Sequence, residues 1–328
     1  MPGLVDRFDE LQRRRSVLGF PLAVVYKFFD DQGGYLAAVI TYYAFVAIFP
    51  LLLIASSVLG FVLQGHPHLR QDILNSALAQ FPIVGDQLGR PEGIKGSTTA
   101  VVIGAVTALY GVIGLGQAAH NAVNVTWAIP RNSRLNPFVS RFRSLIWLVW
   151  AGLALVVVAV VTSFGSHLDV LGKDQGQEWR WISIGLAVVL NAGVLALMMR
   201  LSTPRRERAR DVLPGAVLIA VCWQLLQVLG GFYVQHVITK ASQMNAVFAV
   251  VLGLIALVYI AAVIAMLGLE FNVVIAKRLY PRALLTPFTD NIRLTAADEQ
   301  VYREYAQAQR HKGFERIEVT FEKDQQQD

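Results

Sequence analysis

Residues Ala246–Ala276 read AVFAVVLGLIALVYIAAVIAMLGLEFNVVIA, and Lys277-Arg278 follow at once. In these 31 residues the only charged side chain is Glu270. At 1.5 Å per residue a helix of this length spans about 45 Å, more than a bilayer's hydrocarbon core. A spanning helix satisfies its own backbone hydrogen bonds in lipid, so the stretch predicts a transmembrane helix that tilts or projects beyond the membrane. Five more apolar stretches precede it: Tyr35–Leu63, Thr98–Ile129, Arg143–Gly165, Trp181–Leu201 and Val212–Val234. The chain is 55% hydrophobic and 16% charged over 328 residues, against roughly 25% charged in a soluble domain. The stretches do not alternate as the strands of a membrane barrel would. The expected fold class is therefore an all-α integral membrane protein with six transmembrane helices.

Charge placement orients the spans. Lys and Arg cluster before the first span (Arg7, Arg13, Arg14, Arg15, Lys27) and after the second (Arg131, Arg134, Arg141, Arg143). They cluster again after the fourth (Arg200, Arg205, Arg206, Arg208, Arg210) and the sixth (Lys277, Arg278, Arg282, Arg293). The other three gaps hold 6 such residues against 18. The positive-inside rule then puts both termini in the cytoplasm, as an even number of spans requires. A net charge of +6 and a pI of about 9.5 would suggest nucleic acid in a soluble protein. Here the basic clusters are topology signals first, and sites for anionic lipid headgroups second. No nucleic-acid partner is expected.

Three regions follow. Residues 1–34 form a cytoplasmic or interfacial segment with an amphipathic helix along the membrane surface, interrupted at Pro21. Residues 35–278 form the transmembrane domain. Residues 279–328 form a polar cytoplasmic tail expected to be weakly structured. No cleavable signal peptide is recognised, and the first span is expected to act as the insertion signal. Pro50 lies far inside the first span and predicts a kink. Gly104, Gly111, Gly114 and Gly116 enrich the second span. There Ala100, Gly104 and Ala108 form a small-residue stripe suited to close helix packing. Pro50, Gly111 and Gly114 are the hinge candidates. Cys222 is the chain's single cysteine, so no intramolecular disulfide can form.

Several stretches together resemble the YihY/BrkB family of bacterial inner-membrane proteins, long catalogued under the label ribonuclease BN. They are Thr41-Tyr-Tyr-Ala-Phe-Val-Ala-Ile-Phe-Pro-Leu-Leu-Leu53, Asn121-Ala-Val-Asn-Val-Thr-Trp127, Pro214-Gly-Ala216, Tyr233 and Gly268-Leu-Glu-Phe-Asn272. The resemblance covers roughly Gln32–Arg278 and departs at Leu269, where a small residue is expected. It implies a six-helix plasma-membrane protein, with proposed roles that run from envelope integrity to lipid or solute transport. The nuclease label is regarded as a misassignment.

The residues themselves also weigh against a nuclease, and no enzymatic activity is expected. The histidines (His66, His68, His120, His167, His236, His311) are scattered, whereas metal-dependent hydrolysis needs clustered ligands. No P-loop is present. Neither a metal nor a cofactor is expected.

The stronger signal is polarity inside the membrane. Gln117, His120, Asn121 and Asn124 fall at i, i+3, i+4 and i+7, on one face of the second span. Topology puts this stripe, Gln224 and Gln227 of the fifth span, and Glu270 of the sixth at central to inner depth. Each Gln or Asn alone reads as interhelical glue, whereas an intramembrane carboxylate is a functional candidate by default. The expectation is a cavity open to the cytoplasm, lined by Gln117, His120, Asn121, Asn124, Gln224, Gln227 and Glu270. Arg141, Arg143 and Arg200 at its mouth would attract an anionic headgroup or solute. His120 and Glu270 are the candidates for proton coupling. The bland alternative pairs Glu270 locally with Lys277, Arg278, Asn121 or His120. Transport or lipid handling ranks first, a non-transporting scaffold for envelope assembly second, and a membrane-tethered ribonuclease far behind.

Overall fold

The computed structural model describes residues 4–62, 98–136, 138–146, 149, 150, 152, 176–202, 208–238, 243–284, 286 and 292–322. Most of the third apolar stretch and the whole gap between the first and second stretches lie outside them. The secondary structure of the described residues is helical, with no strand among them. In chain order they form α1 (Leu4–Arg14), α2 (Ser16–Asp30), α3 (Gly33–Val62) and α4 (Thr98–Thr126). A helical segment over residues 138–146 follows. Then come α5 (Gly176–Ser202), α6 (Ala209–Tyr233) with a π-helical turn Val234–Ile238, α7 (Gln243–Lys277) and α8 (Ala296–Ala308).

Among the described residues, two helical stretches are long and apolar enough to cross a membrane, Ala209–His236 and Phe248–Lys277, with mean hydropathies of 2.0 and 2.9. Gly33–Ile48 and Ile184–Arg200 are shorter apolar stretches. Val189, Leu225, Val228, Phe248 and Leu252 are exposed. Such an apolar exterior suits lipid rather than water.

Helix α7 is the hub, touching α2, α3, α4 and α6, while α5 packs on α6. Glycines set how closely the helices approach. A Cβ on Gly114 of α4 would lie 2.1 Å from the Tyr43 ring of α3, and one on Gly111 would lie 2.9 Å from the Ala47 backbone nitrogen. These two hinge candidates are thus contact points between α3 and α4. The side-chain packing of the stripe at Ala100, Gly104 and Ala108 and of Pro50 lies outside what is described, although the α4 and α3 backbones run helically through these positions.

A second close approach joins α6 to α7. A Cβ on Gly215 would meet the Gly268 carbonyl oxygen at 2.0 Å. The Gly215 N–H donates to Asn272 Oδ1 at 2.7 Å, and Asn272 Nδ2 donates to the Val212 carbonyl at 3.0 Å. The Pro214-Gly-Ala216 and Gly268–Asn272 stretches, far apart in sequence, are therefore one contact.

The two ends of the chain differ from expectation. The break in the N-terminal segment falls at Arg15, which is extended (φ −117°, ψ 101°), while Pro21 is accommodated inside α2. An interior proline costs a helix about 3 kcal/mol, and packing offsets it. Phe20, beside the proline, stacks edge-on against Phe271 (4.8 Å between centroids) and Tyr280 (5.4 Å), and Ala23 and Val24 enter the main core with Met266, Val273 and Val274. The tail, expected to be weakly structured, folds into α8. Thr295 and Asp298 make a reciprocal capping box at its start, and Ala297, Val301 and Ala308 are buried against the bundle.

Candidate functional site

Two polar regions flank the end of the bundle that carries both terminal helices. The first is a cleft of about 230 Å³ beside α4, lined by Gln117, His120, Asn121, Asn124, Arg134, Leu135, Ser140 and Arg141. Helical spacing puts Gln117, His120, Asn121 and Asn124 on one wall. The segment 138–146 supplies the facing wall, and Gly116 lets it close in. A Cβ there would lie 2.4 Å from Ser144 Cβ. His120 is buried, Asn121 and Arg141 are exposed, and Gln117, Asn124 and Arg134 are half-buried. Arg134 Nε donates to the Ile129 carbonyl at 3.1 Å, which fixes the guanidinium at the rim. Burial, and then the like charge of Arg131, hold the Arg134 pKa below its ordinary value.

Chain beyond α8 closes the neighbouring loop. The Asn132 N–H donates to the Arg310 carbonyl at 3.1 Å, and Arg131 Nε donates to Gln309 Oε1 at 3.0 Å. Arg143 lies outside the lining. Gln224 and Gln227 are half-buried on α6 and Arg200 is exposed on α5; none of the three lines the cleft. The structure thus brings four of the seven proposed cavity residues together and adds Arg134, Leu135 and Ser140, which the sequence had not singled out.

Glu270 is elsewhere. It belongs to a closed cluster of charges between α2, α7 and α8. Lys27 of α2, 1% exposed, forms an ion pair with Asp31, stands 3.6 Å from Glu270 Oε2, and donates to the Thr126 carbonyl at 3.1 Å. Its ammonium also lies 5.1 Å from the centroid of the Tyr305 ring. Burial by itself lowers the Lys27 pKa, but Glu270 and Asp31 outweigh it and hold the group above its ordinary value. The Tyr305 phenol is pushed up by burial and then by Asp31.

Next to it, Arg282 is fully buried, forming an ion pair with Asp298 and donating to Asp30 Oδ2 at 3.1 Å. Asp298 also accepts the Ala283 N–H at 2.9 Å. Gln12 of α1 donates to the Arg282 carbonyl at 2.5 Å. Lys277, one of the local partners expected for Glu270, instead donates to Glu304 Oε2 at 2.7 Å and to the Trp127 carbonyl at 3.0 Å. Lys27 and Arg282, read from the sequence as topology charges, are structural groups inside the protein. Among the described residues no group of three or more His, Cys, Asp or Glu could hold a metal ion.

Long apolar helices, an apolar exterior and buried ion pairs at one end define an all-helical membrane protein. The family model described as Virulence factor BrkB matches residues 24–292. This chain belongs to the BrkB family. It is 28% identical over 269 residues to the inner membrane protein YhjD of Escherichia coli (strain K12), covering 76% of this chain and 79% of that one. It is 23% identical over 251 residues to an uncharacterized protein of Dickeya dadantii (strain 3937), covering 71% and 76%. No solved structure matches. The matched range begins before Lys27 and ends beyond Arg282, so it takes in both cleft and cluster apart from the α8 residues.

Proposed function

We propose that this protein is a multi-pass plasma-membrane protein that binds an anionic headgroup or solute in the cleft beside α4, as a transporter or lipid-handling protein that contributes to envelope integrity. Both termini would lie in the cytoplasm, so that the cleft opens at the inner leaflet. The observation that carries the reading is the convergence of Gln117, Asn121 and Asn124 with Arg134 and Arg141 around one opening. Amide donors with two guanidinium groups are the set that recognises phosphate, through charge-assisted hydrogen bonds. The volume argues the same way. Pockets for whole drug-sized ligands span roughly 300–1,000 Å³, so a cleft of about 230 Å³ suits a headgroup whose chains remain in the bilayer.

Native mass spectrometry of the full chain released from nanodiscs tests this. With mixed phosphatidylglycerol and phosphatidylcholine, the anionic lipid is expected to stay bound preferentially. Arg141→Ala with Asn121→Ala is expected to reduce its occupancy about tenfold or more, the loss of a charged hydrogen bond and its neighbour. Equal retention of both lipids, or occupancy unchanged in the double variant, would overturn the assignment.

A further inference from the structure

The closed cluster around Glu270 carries an inference that does not depend on what the cleft binds. Two cations, Lys27 and Arg282, serve four carboxylates: Asp30, Asp31, Glu270 and Asp298. Arg282 pairs with Asp298 and Asp30 through Nε and Nη2, its Nη1 making no hydrogen bond, and Lys27 is the cation paired with both Asp31 and Glu270. Lys27 gives its hydrogen bonds to Asp31 and to the Thr126 carbonyl. Neither Glu270 oxygen accepts a hydrogen bond, and Asp31 Oδ1 and the Tyr305 hydroxyl also lack a partner. Glu270 is 0% exposed and Asp31 5%.

The groups facing the pair come from every neighbouring element. Helix α2 brings Lys27 and Asp30, α8 brings Tyr305 and, on Lys277, Glu304, and the connection to α8 brings Arg282. Helix α4 brings the Thr126 carbonyl. Among these, Lys27 is the cation 3.6 Å from Glu270. Two ionised carboxylates sharing one ammonium, with three oxygens lacking donors, is a costly arrangement away from water. One proton removes the conflict, because it lowers the charge and turns a carboxyl into a donor for its neighbour. Carboxylates that share a site hold a proton in this way.

We propose that Glu270 and Asp31 hold one exchangeable proton between them beside Lys27, so that the cluster is a proton-binding site joining α2 and α8 to the long helix α7. Loss of the proton leaves two negative charges on one ammonium and weakens the hold of α2 on α7. Gain of the proton restores it.

Infrared difference spectroscopy of the full chain in nanodiscs, stepped from acid to alkaline pH, reads the protonation state directly. The expected result is a carbonyl stretch of a protonated carboxyl at neutral pH that shifts in D2O and disappears on alkalinisation. It is expected to be lost in Glu270→Gln and in Asp31→Asn, since in either variant the remaining carboxylate ionises against Lys27. Absence of the band from the wild-type protein at neutral pH, or its survival in either variant, overturns the proposal. Should one variant fail to fold, the other and the wild-type titration still decide it. A protonation band does not report ligand occupancy, so this test and that of the cleft fail separately.

Discussion

The cleft and the cluster draw on the same helix and treat polarity in opposite ways. One face of α4 offers Gln117, Asn121 and Asn124 to an opening, flanked by arginines that remain partly hydrated. The end of the same helix gives the Thr126 carbonyl to Lys27, an ammonium sealed among carboxylates. On the proposed reading, groups in the cleft keep bonding capacity in reserve for an arriving anion. Most groups in the cluster are spent on one another, and they hold three helices together. The difference teaches that polarity within an apolar helix has two readings, and that they separate by the partners each group has already found.

Mutations can break this comparison. The largest effect is expected for Lys27→Met, which leaves Asp31 and Glu270 buried without their shared cation. Removing one partner of a buried ion pair typically costs about 3–5 kcal/mol. Thermal unfolding of the variant in nanodiscs should show it, and a midpoint equal to wild type would mean that the cluster does not hold the helices. Gly215→Ala ranks next. Its methyl group would collide with the Gly268 carbonyl backbone, which has no side-chain freedom to yield. Overpacking of this kind costs roughly 1–3 kcal/mol, and the same unfolding measurement checks it.

Arg141→Ala supplies the contrast. Its side chain is exposed at the cleft, so stability should move by no more than about 0.5 kcal/mol while anionic-lipid occupancy falls. A large loss of stability there would erase the distinction between the two regions.

The smallest effect concerns the turn after α8, where Glu315 accepts the His311 N–H at 2.7 Å and the Lys312 N–H at 3.1 Å. Those hydrogen bonds hold its carboxyl below the ordinary value of 4.5. The turn's stabilisation is thus fully present above that value and is lost as pH falls through the depressed one. Side-chain carbon NMR of Glu315 should give a midpoint below that of a free glutamate, and Glu315→Gln should remove the pH dependence of the His311 amide shift.

How much of this was readable in the sequence depends on the range of the interaction. The apolar helices and the polar face of α4 follow from local periodicity, which is a property of neighbouring residues. Glu270 stood out because a carboxylate within an apolar run is rare, yet its partner did not. Lys27 looks like any basic residue before a first span, and nothing near position 27 points to position 270. Pro21 misled because the packing of Phe20 outweighs a local penalty. The C-terminal helix was hidden by polar composition, although Thr295 followed by Asp298 is a helix-start signature. The spacing of Ala297, Val301 and Ala308 marks its buried face.

The Lys27 ammonium has a consequence for how the molecule is made. Chains emerge from the ribosome N-terminus first, so α2 is synthesised long before the Glu270 helix and before Tyr305 of α8. Until they arrive, the ammonium has its ion pair with Asp31 but lacks the Glu270 carboxylate and the Tyr305 ring that enclose it. A helix made near the beginning is thus enclosed by residues made near the end. A chain truncated before α7 would leave α2 its contacts with α1 and α3 but not its main packing partner.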